Sequence, residues 1–416
     1  MKQPHPPVTR PRLVILGTGF GAFSVIKRIN TRVFDITVVS PRNHFLFTPL
    51  LPSTTVGTIE FRSIIEPVRI ARPETRYYHA ECVGIHQRRR EIRCKGMLDG
   101  RRFVLPYDYL VIAVGSSIAT YDVPGVRQHA LFLKELSDAR AIRQKIIECL
   151  EQASQPNIPP DVRKRQLHFV VVGGGPTGVE FLAEMHDFVV KDLRKSFPTV
   201  VGDVKLTLLE ATEEILGGFD GALRAYTRKV FKRQRIDVRT RSPVARVGRT
   251  HIVLRDGTVI PFGLAVWSGG IGPTDLARTL PFPRDSASRI VVDEYLRIKE
   301  TSRLFALGDC SSVEGKHYPA TAQVAQQQGK YLAKALESYA RGLLPVPFRY
   351  KSYGMLAYIG EGKALADLES VKGRGFAAWV FWRSVYITRL VSVKNKILVL
   401  FDWMKTFIFG RDISRF

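Results

Sequence analysis

The chain carries the same local pattern twice. Residues 13–22 read LVILGTGFGA, and about 150 positions later residues 170–180 read VVVGGGPTGVE. Each is an aliphatic run, a cluster of glycines and then a segment with helical spacing, the strand, turn and helix that open a βαβ unit. One glycine loop is a weak signal. Two in one chain, followed by the second strands FDITVVS and KLTLLEA, predict two dinucleotide-binding halves.

In the first loop Gly17 permits the tight turn, Gly19 lets the backbone approach a pyrophosphate, and Ala22 allows close helix packing, with Phe20 between them. The helix N-terminus behind them offers the positive end of its dipole. An acid usually ends the second strand of such a unit. Here Ser40 stands there, followed by Arg42, so a hydroxyl is expected at the ribose and an arginine at adenine or a phosphate. The strand YDYLVIAVG ends at Gly115, where the backbone must come close to something.

In the second loop Gly173, Gly175 and Gly178 are in register, with Pro176 and Thr177 opening the helix. Its second strand ends in Glu210, whose carboxylate would accept from ribose hydroxyls and repel a 2′-phosphate, so NADH is expected over NADPH. AVWSGGIGP, with Gly270, stands where IAVG stood in the first half. Glu180 is expected on the first helical turn. There it either answers the helix dipole or serves as a hydrogen-bond or proton partner beside a nicotinamide or flavin ring.

The division expected is an α/β protein with two Rossmann-like dinucleotide-binding domains, one inserted in the other. Residues 1–160 and 275–345 form the first, 161–274 the second, and 346–416 a C-terminal region. Charge adds a partner class. The net +25 calls for an anionic one: nucleic acid, an anionic membrane surface or a small acidic ligand. From Val371 onward nine Lys or Arg face two Asp, with Trp379, Trp382 and Trp403 among them, the pattern of an amphipathic helix lying in a membrane interface. A helical hairpin packed on its own domain, or pairing two copies as a homodimer, is the alternative. No apolar window reaches a membrane-spanning length, and MKQPHPPVTRPR has too many prolines to read as a targeting segment. The four cysteines are widely spaced, so neither a metal site nor a near-neighbour redox disulfide is expected.

SPRNHFLFTPLLPSTTVGTIEFRSI, ALGD and PATAQVAQQQGKYLA, together with the two loops, resemble the type II NADH:quinone oxidoreductases, the non-proton-pumping alternative NADH dehydrogenases. The segment FRYKSYGMLAYIG and the C-terminal WMKTFIFGRDISRF are closest to mitochondrial, fungal-like members. The resemblance implies tightly bound FAD in the first half, NADH as substrate in the second, and ubiquinone or a related quinone as acceptor. It places Thr48 and Pro49 against the flavin, Asp309 at its ribityl or pyrophosphate region, and Gln323, Gln327 and Gln328 along the isoalloxazine and quinone channel. Neutral amides can bond quinone carbonyls there without adding charge. It also implies a peripheral, monotopic place on the mitochondrial inner membrane if the source is eukaryotic, or on the cytoplasmic face of the plasma membrane if bacterial. The rival readings are an apoptosis-inducing-factor-like NADH flavoprotein with another acceptor and a basic nucleic-acid-binding flavoprotein. No base-reading module is visible, so nucleic acid is not expected.

Overall fold

Both aliphatic runs fold as buried strands, Arg12–Leu16 and His168–Val172, each hydrogen-bonded on both sides within a parallel sheet. Such strands bury both faces, which is why their sequence is continuously apolar rather than alternating. Burying each Val, Leu or Ile stabilises by about 1.5–3 kcal/mol. The computed structural model describes residues 10–414, so the segment before Arg10 and Arg415 lie outside the described residues. Five helices carry the argument below: α1 (Phe20–Arg28), α2 (Pro176–Phe188), α3 (Ala322–Ala340), α4 (Phe376–Arg389) and α5 (Val393–Phe409).

One compact unit runs to Phe45 and includes Glu66–Ser117 and Ile271–Ser352. Its sheet runs Leu304–Ala306, Tyr109–Ile112, Arg12–Leu16, Asp35–Ser40 and Arg76–His86, all parallel, and continues into two antiparallel strands. The return segment TSRLFALGDCSSV thus supplies the outermost strand. α1 crosses α3 at two glycines, where a Cβ on Gly329 would meet the Gly21 carbonyl at 2.4 Å. The close crossing thus requires glycine at position 329, while Ala22 is fully buried on α1.

The second unit comprises Leu46–Ile65, Ile118–Gly270 and Tyr353–Phe416. Its parallel sheet runs Leu131–Phe132, Leu264–Trp267, His168–Val172, Lys205–Leu209 and Asp237–Arg239; the last four repeat the order of the first unit, whereas the edge strand Leu131–Phe132 precedes them in the chain and Leu304–Ala306 follows its neighbours. The units do not follow the expected boundaries at 160, 274 and 345. Residues 46–65 join the second unit because Ser53 and Thr58 donate to Glu184 of α2, at 2.8 and 2.7 Å. The Asn395 amide of α5 donates to the Ser63 and Ile65 carbonyls, which ties the C-terminal helix to the same segment. Such contacts span more than a hundred residues and leave no mark in a linker.

The C-terminal part of that unit is a three-stranded antiparallel sheet followed by α4 and α5. Among the described residues, no helix is long and apolar enough to cross a membrane. α5 is amphipathic in an inverted sense. Asn395 and Asp402 are buried, whereas Ile397, Leu400, Phe401, Met404, Phe407 and Ile408 are exposed. The tryptophans do not form the exposed face: Trp382 and Trp403 are buried, Trp379 is half-buried, and the exposed aromatics of α4 and α5 are phenylalanines. Much of the basic excess also turns to protein. Arg411 pairs with Asp192 and Glu184, Lys405 with Glu60 and Lys372 with Asp367, while Arg374 and Arg389 lie over tyrosine rings.

Candidate active site

The two loops have the same geometry. Gly17 and Gly173 sit at φ +106° and +112°, and each donates its N–H to the end of the second strand, to Val39 and Leu209 at 2.8 Å. A Cβ on Gly17 would meet the Ala113 carbonyl at 2.3 Å, and one on Gly173 the Ser268 carbonyl at 2.5 Å, so both positions require glycine. Gly19 and Gly175 are the N-caps of α1 and α2, and neither helix has a side-chain cap. A Cβ on either would meet nothing within 4 Å. Each helix therefore presents uncapped N–H groups to open space, the arrangement that accepts a pyrophosphate. In the second loop Gly178 is also required, since a Cβ there would lie 2.1 Å from the Gly173 carbonyl. The residues present fit two dinucleotides.

The flanking residues differ. Ser40 is buried, with its hydroxyl 3.1 Å from that of Thr18 and accepting from the Arg42 N–H, so it serves inside the loop rather than facing a ribose. Arg42 donates Nε to the His44 carbonyl. Phe20 packs edge-on against Phe45. Glu210 is half-buried and accepts from the Gly174 N–H at 2.6 Å and from the Thr212 N–H and hydroxyl, which fixes a carboxylate beside the loop. Asp309 accepts from the Ser116 hydroxyl, one residue beyond Gly115, at 2.9 Å. Gly270 has φ +133°, and a Cβ there would meet the Tyr121 hydroxyl. Thr48 and Pro49 open a half-buried 3-10 turn.

The three glutamines lie in the first two turns of α3, each committed to neighbouring structure. Gln328 is buried and accepts from the Gly308 N–H at 2.7 Å. Gln327 clamps Lys351 at two points, donating to its carbonyl and accepting from its N–H at 2.8 and 3.0 Å. Gln323 accepts from the Tyr350 hydroxyl.

Glu180 departs from its expected position. α2 begins at Pro176, so Glu180 lies past the first turn and is buried, with the Tyr358 N–H donating to it at 3.1 Å. Burial pushes its carboxyl up to about 8, against the pull of that N–H and of the Trp382 indole. Tyr386, stacked on Trp382 at 4.5 Å, completes an aromatic wall. Four residues further along the same face, Glu184 is held by two hydroxyls and Arg411, and Asp187 accepts from the Tyr358 hydroxyl at 2.6 Å.

Residues 11–329 match the family model for pyridine nucleotide-disulphide oxidoreductases, and residues 353–412 match that for the NDH2 C-terminal domain. The chain is a type II NADH dehydrogenase by family. A "Probable NADH dehydrogenase" of Dictyostelium discoideum is 47% identical over 98% of this chain and 92% of its own length. The "Internal alternative NAD(P)H-ubiquinone oxidoreductase A1, mitochondrial" of Arabidopsis thaliana is 42% identical, covering 98% and 86%. The solved structure of NDH2 from Plasmodium falciparum in complex with NADH superposes with a TM-score of 0.92 at 27% identity, covering 98% of this chain and all of that one.

For the type II enzyme the motifs marked the loops and missed what surrounds Glu180. Tyr358, Trp382, Tyr386 and Arg411 reach it or its neighbours from nearly two hundred residues away. A detectable signal was an acid at every turn of an otherwise apolar helix, Glu180, Glu184 and Asp187, since buried acids demand partners.

Proposed function

We propose that this protein oxidises NADH through FAD and passes two electrons to membrane ubiquinone without pumping protons. The observation that carries the reading is the pair of uncapped helix N-termini behind Gly17 and Gly173, on two sheets that share the order of four parallel strands, which supports two Rossmann-like nucleotide sites in one chain. The family supports the pairing of FAD with NADH. When bound, FAD supplies the two-electron chemistry, taking hydride from NADH and returning electrons to quinone.

The chain's own residues do the rest. The first loop, with Ser116 and Asp309, holds FAD, and Gln328 fixes the Gly308 turn beside Asp309. Gln323 and Gln327 position residues 350–351, and the family resemblance assigns Thr48 and Pro49 to the flavin. The second loop holds the NADH pyrophosphate, and Glu210 takes the ribose hydroxyls. Glu180, protonated at neutral pH in its aromatic enclosure, holds a proton for quinol formation.

The exposed stripe of α5 supports a peripheral membrane attachment on the mitochondrial inner membrane, with no helix that crosses it. The same stripe would serve a homodimer. A soluble protein buries such a stripe, and here it is exposed while Asn395 and Asp402 are buried beside Val399 and Trp403. The test is NADH oxidation by purified protein in mild detergent with a short-chain ubiquinone. Rapid turnover that requires the quinone supports the assignment, and NADH oxidation indifferent to quinone returns it to the factor-like rival.

A further inference from the structure

Behind α4 and α5 lies a cavity of about 1050 Å³, as large as the pockets that hold small ligands. Trp379, Trp382, Trp403, Met404 and Phe407 line it together with two arginines. The two arginines differ in what they touch. Arg411 spends its N–H groups on Asp192, Thr58 and Glu184. Arg383 lies between two indoles, 4.0 Å from the Trp379 ring centre and 4.4 Å from that of Trp403, and its Nε has no hydrogen-bond partner.

The two rings engage the guanidinium through its π system; its Nε is buried and unpartnered, so the terminal N–H groups are those that can meet a ligand in the cavity. The acids of the cavity are already committed. Glu184 accepts from Ser53, Thr58 and Arg411; Asp187 from Tyr358, Lys191 and the Glu361 N–H; Asp192 from Arg411; and Glu361 from Lys363. A planar donor edge with no acceptor in an aromatic chamber suits an oxyanion carrying an apolar chain. Met404 and Phe407 belong both to the cavity wall and to the exposed stripe of α5, so a chain seated in the cavity continues onto the outer surface.

We propose that the cavity binds one anionic phospholipid, its phosphate on the free edge of Arg383 and one acyl chain along Met404, Phe407 and the exposed stripe of α5. This rests on the reading of that stripe as membrane-facing. It assigns the cavity a ligand distinct from NADH and quinone, and it explains why tryptophans expected at the lipid surface turn inward.

Three of the chain's four tryptophans line the cavity, so quenching by a brominated-acyl phosphatidylglycerol reads its occupancy. Titrating the flavin-loaded full chain in mild detergent should give saturable quenching. Arg383→Gln should weaken it tenfold or more, with Arg383→Lys in between, because an ammonium supplies charge without a planar edge. Met404→Glu, outside the indole sandwich, should abolish it with flavin absorbance retained, which keeps the test decisive if Arg383→Gln fails to fold. Wild type and Arg383→Gln with equal affinity would overturn the site, as would inorganic phosphate or a brominated fatty acid binding as tightly as the phospholipid. Sedimentation with phosphatidylglycerol vesicles separates the premise from the site. Wild type and Arg383→Gln should both pellet; a wild type that stays in solution would overturn the membrane reading on which the site rests.

Discussion

The two glycine loops share a backbone and differ at the residue that ends the second strand. In the first, Ser40 is neutral, buried and hydrogen-bonded to Thr18, inside the turn. In the second, Glu210 holds a charge at the turn, pinned by Gly174 and Thr212. A closed, neutral loop suits a cofactor that stays. A loop with a fixed, half-buried carboxylate suits a substrate that must be chosen and released. The shared part supports a dinucleotide at each loop, and the difference supports the proposed division between a resident cofactor and an exchangeable substrate.

The largest effect should come from breaking the shared part. Gly17→Ala drives a Cβ into the Ala113 carbonyl at a φ that side chains avoid, and backbone cannot give way as a flexible side chain does. The purified protein should lack flavin absorbance. Gly178→Ala should leave flavin in place and raise the KM for NADH about 100-fold or more, since the helix must retreat from the Gly173 carbonyl. Comparing flavin content with KM in the two variants sharpens the comparison directly.

Substituting the residues that differ should give smaller effects. Glu210→Gln should lower kcat/KM for NADH by about 10–100-fold, the worth of a charged hydrogen bond, and NADPH by less. Ser40→Ala should cost only about 1 kcal/mol, read as a small fall in melting temperature with nucleotide preference unchanged.

Glu180 adds a test outside the loops, with a defined sign. Its folded carboxyl titrates near 8, against an ordinary value of 4.5. Between those values the unfolded chain has lost the proton that the folded one keeps, so stability falls as pH rises from about 5 to about 8 and then levels. Glu180→Gln should flatten that part of the melting-temperature profile. A variant with an unchanged slope would assign the pH dependence to other groups.

The legible part of this molecule was its local chemistry. Glycines with positive φ, aliphatic strands and uncapped helix starts are fixed by residues within a few positions of one another, so both nucleotide loops could be read from the sequence. Contacts between distant residues were hidden. Gly329 lies outside both glycine loops, and only its crossing with the Gly21 carbonyl shows that it must be small. Trp382 and Trp403 read as membrane anchors because composition cannot distinguish a tryptophan facing lipid from one packed on tyrosines, as Trp382 is, or on an inward-turned arginine, as Trp403 is. The same limit concealed that three of the C-terminal basic residues, Lys372, Lys405 and Arg411, pair with acids of the protein.

The most direct test of the two-loop account is a single turnover without oxygen. The purified protein should retain flavin absorbance through gel filtration with no FAD added, because the closed loop keeps its cofactor. NADH should then remove that absorbance far faster than NADPH does, and a short-chain ubiquinone should restore it. Flavin lost during filtration, or equal rates with NADPH, would contradict the division between resident and exchangeable nucleotide. Absorbance that NADH removes but quinone does not restore would contradict the proposed acceptor.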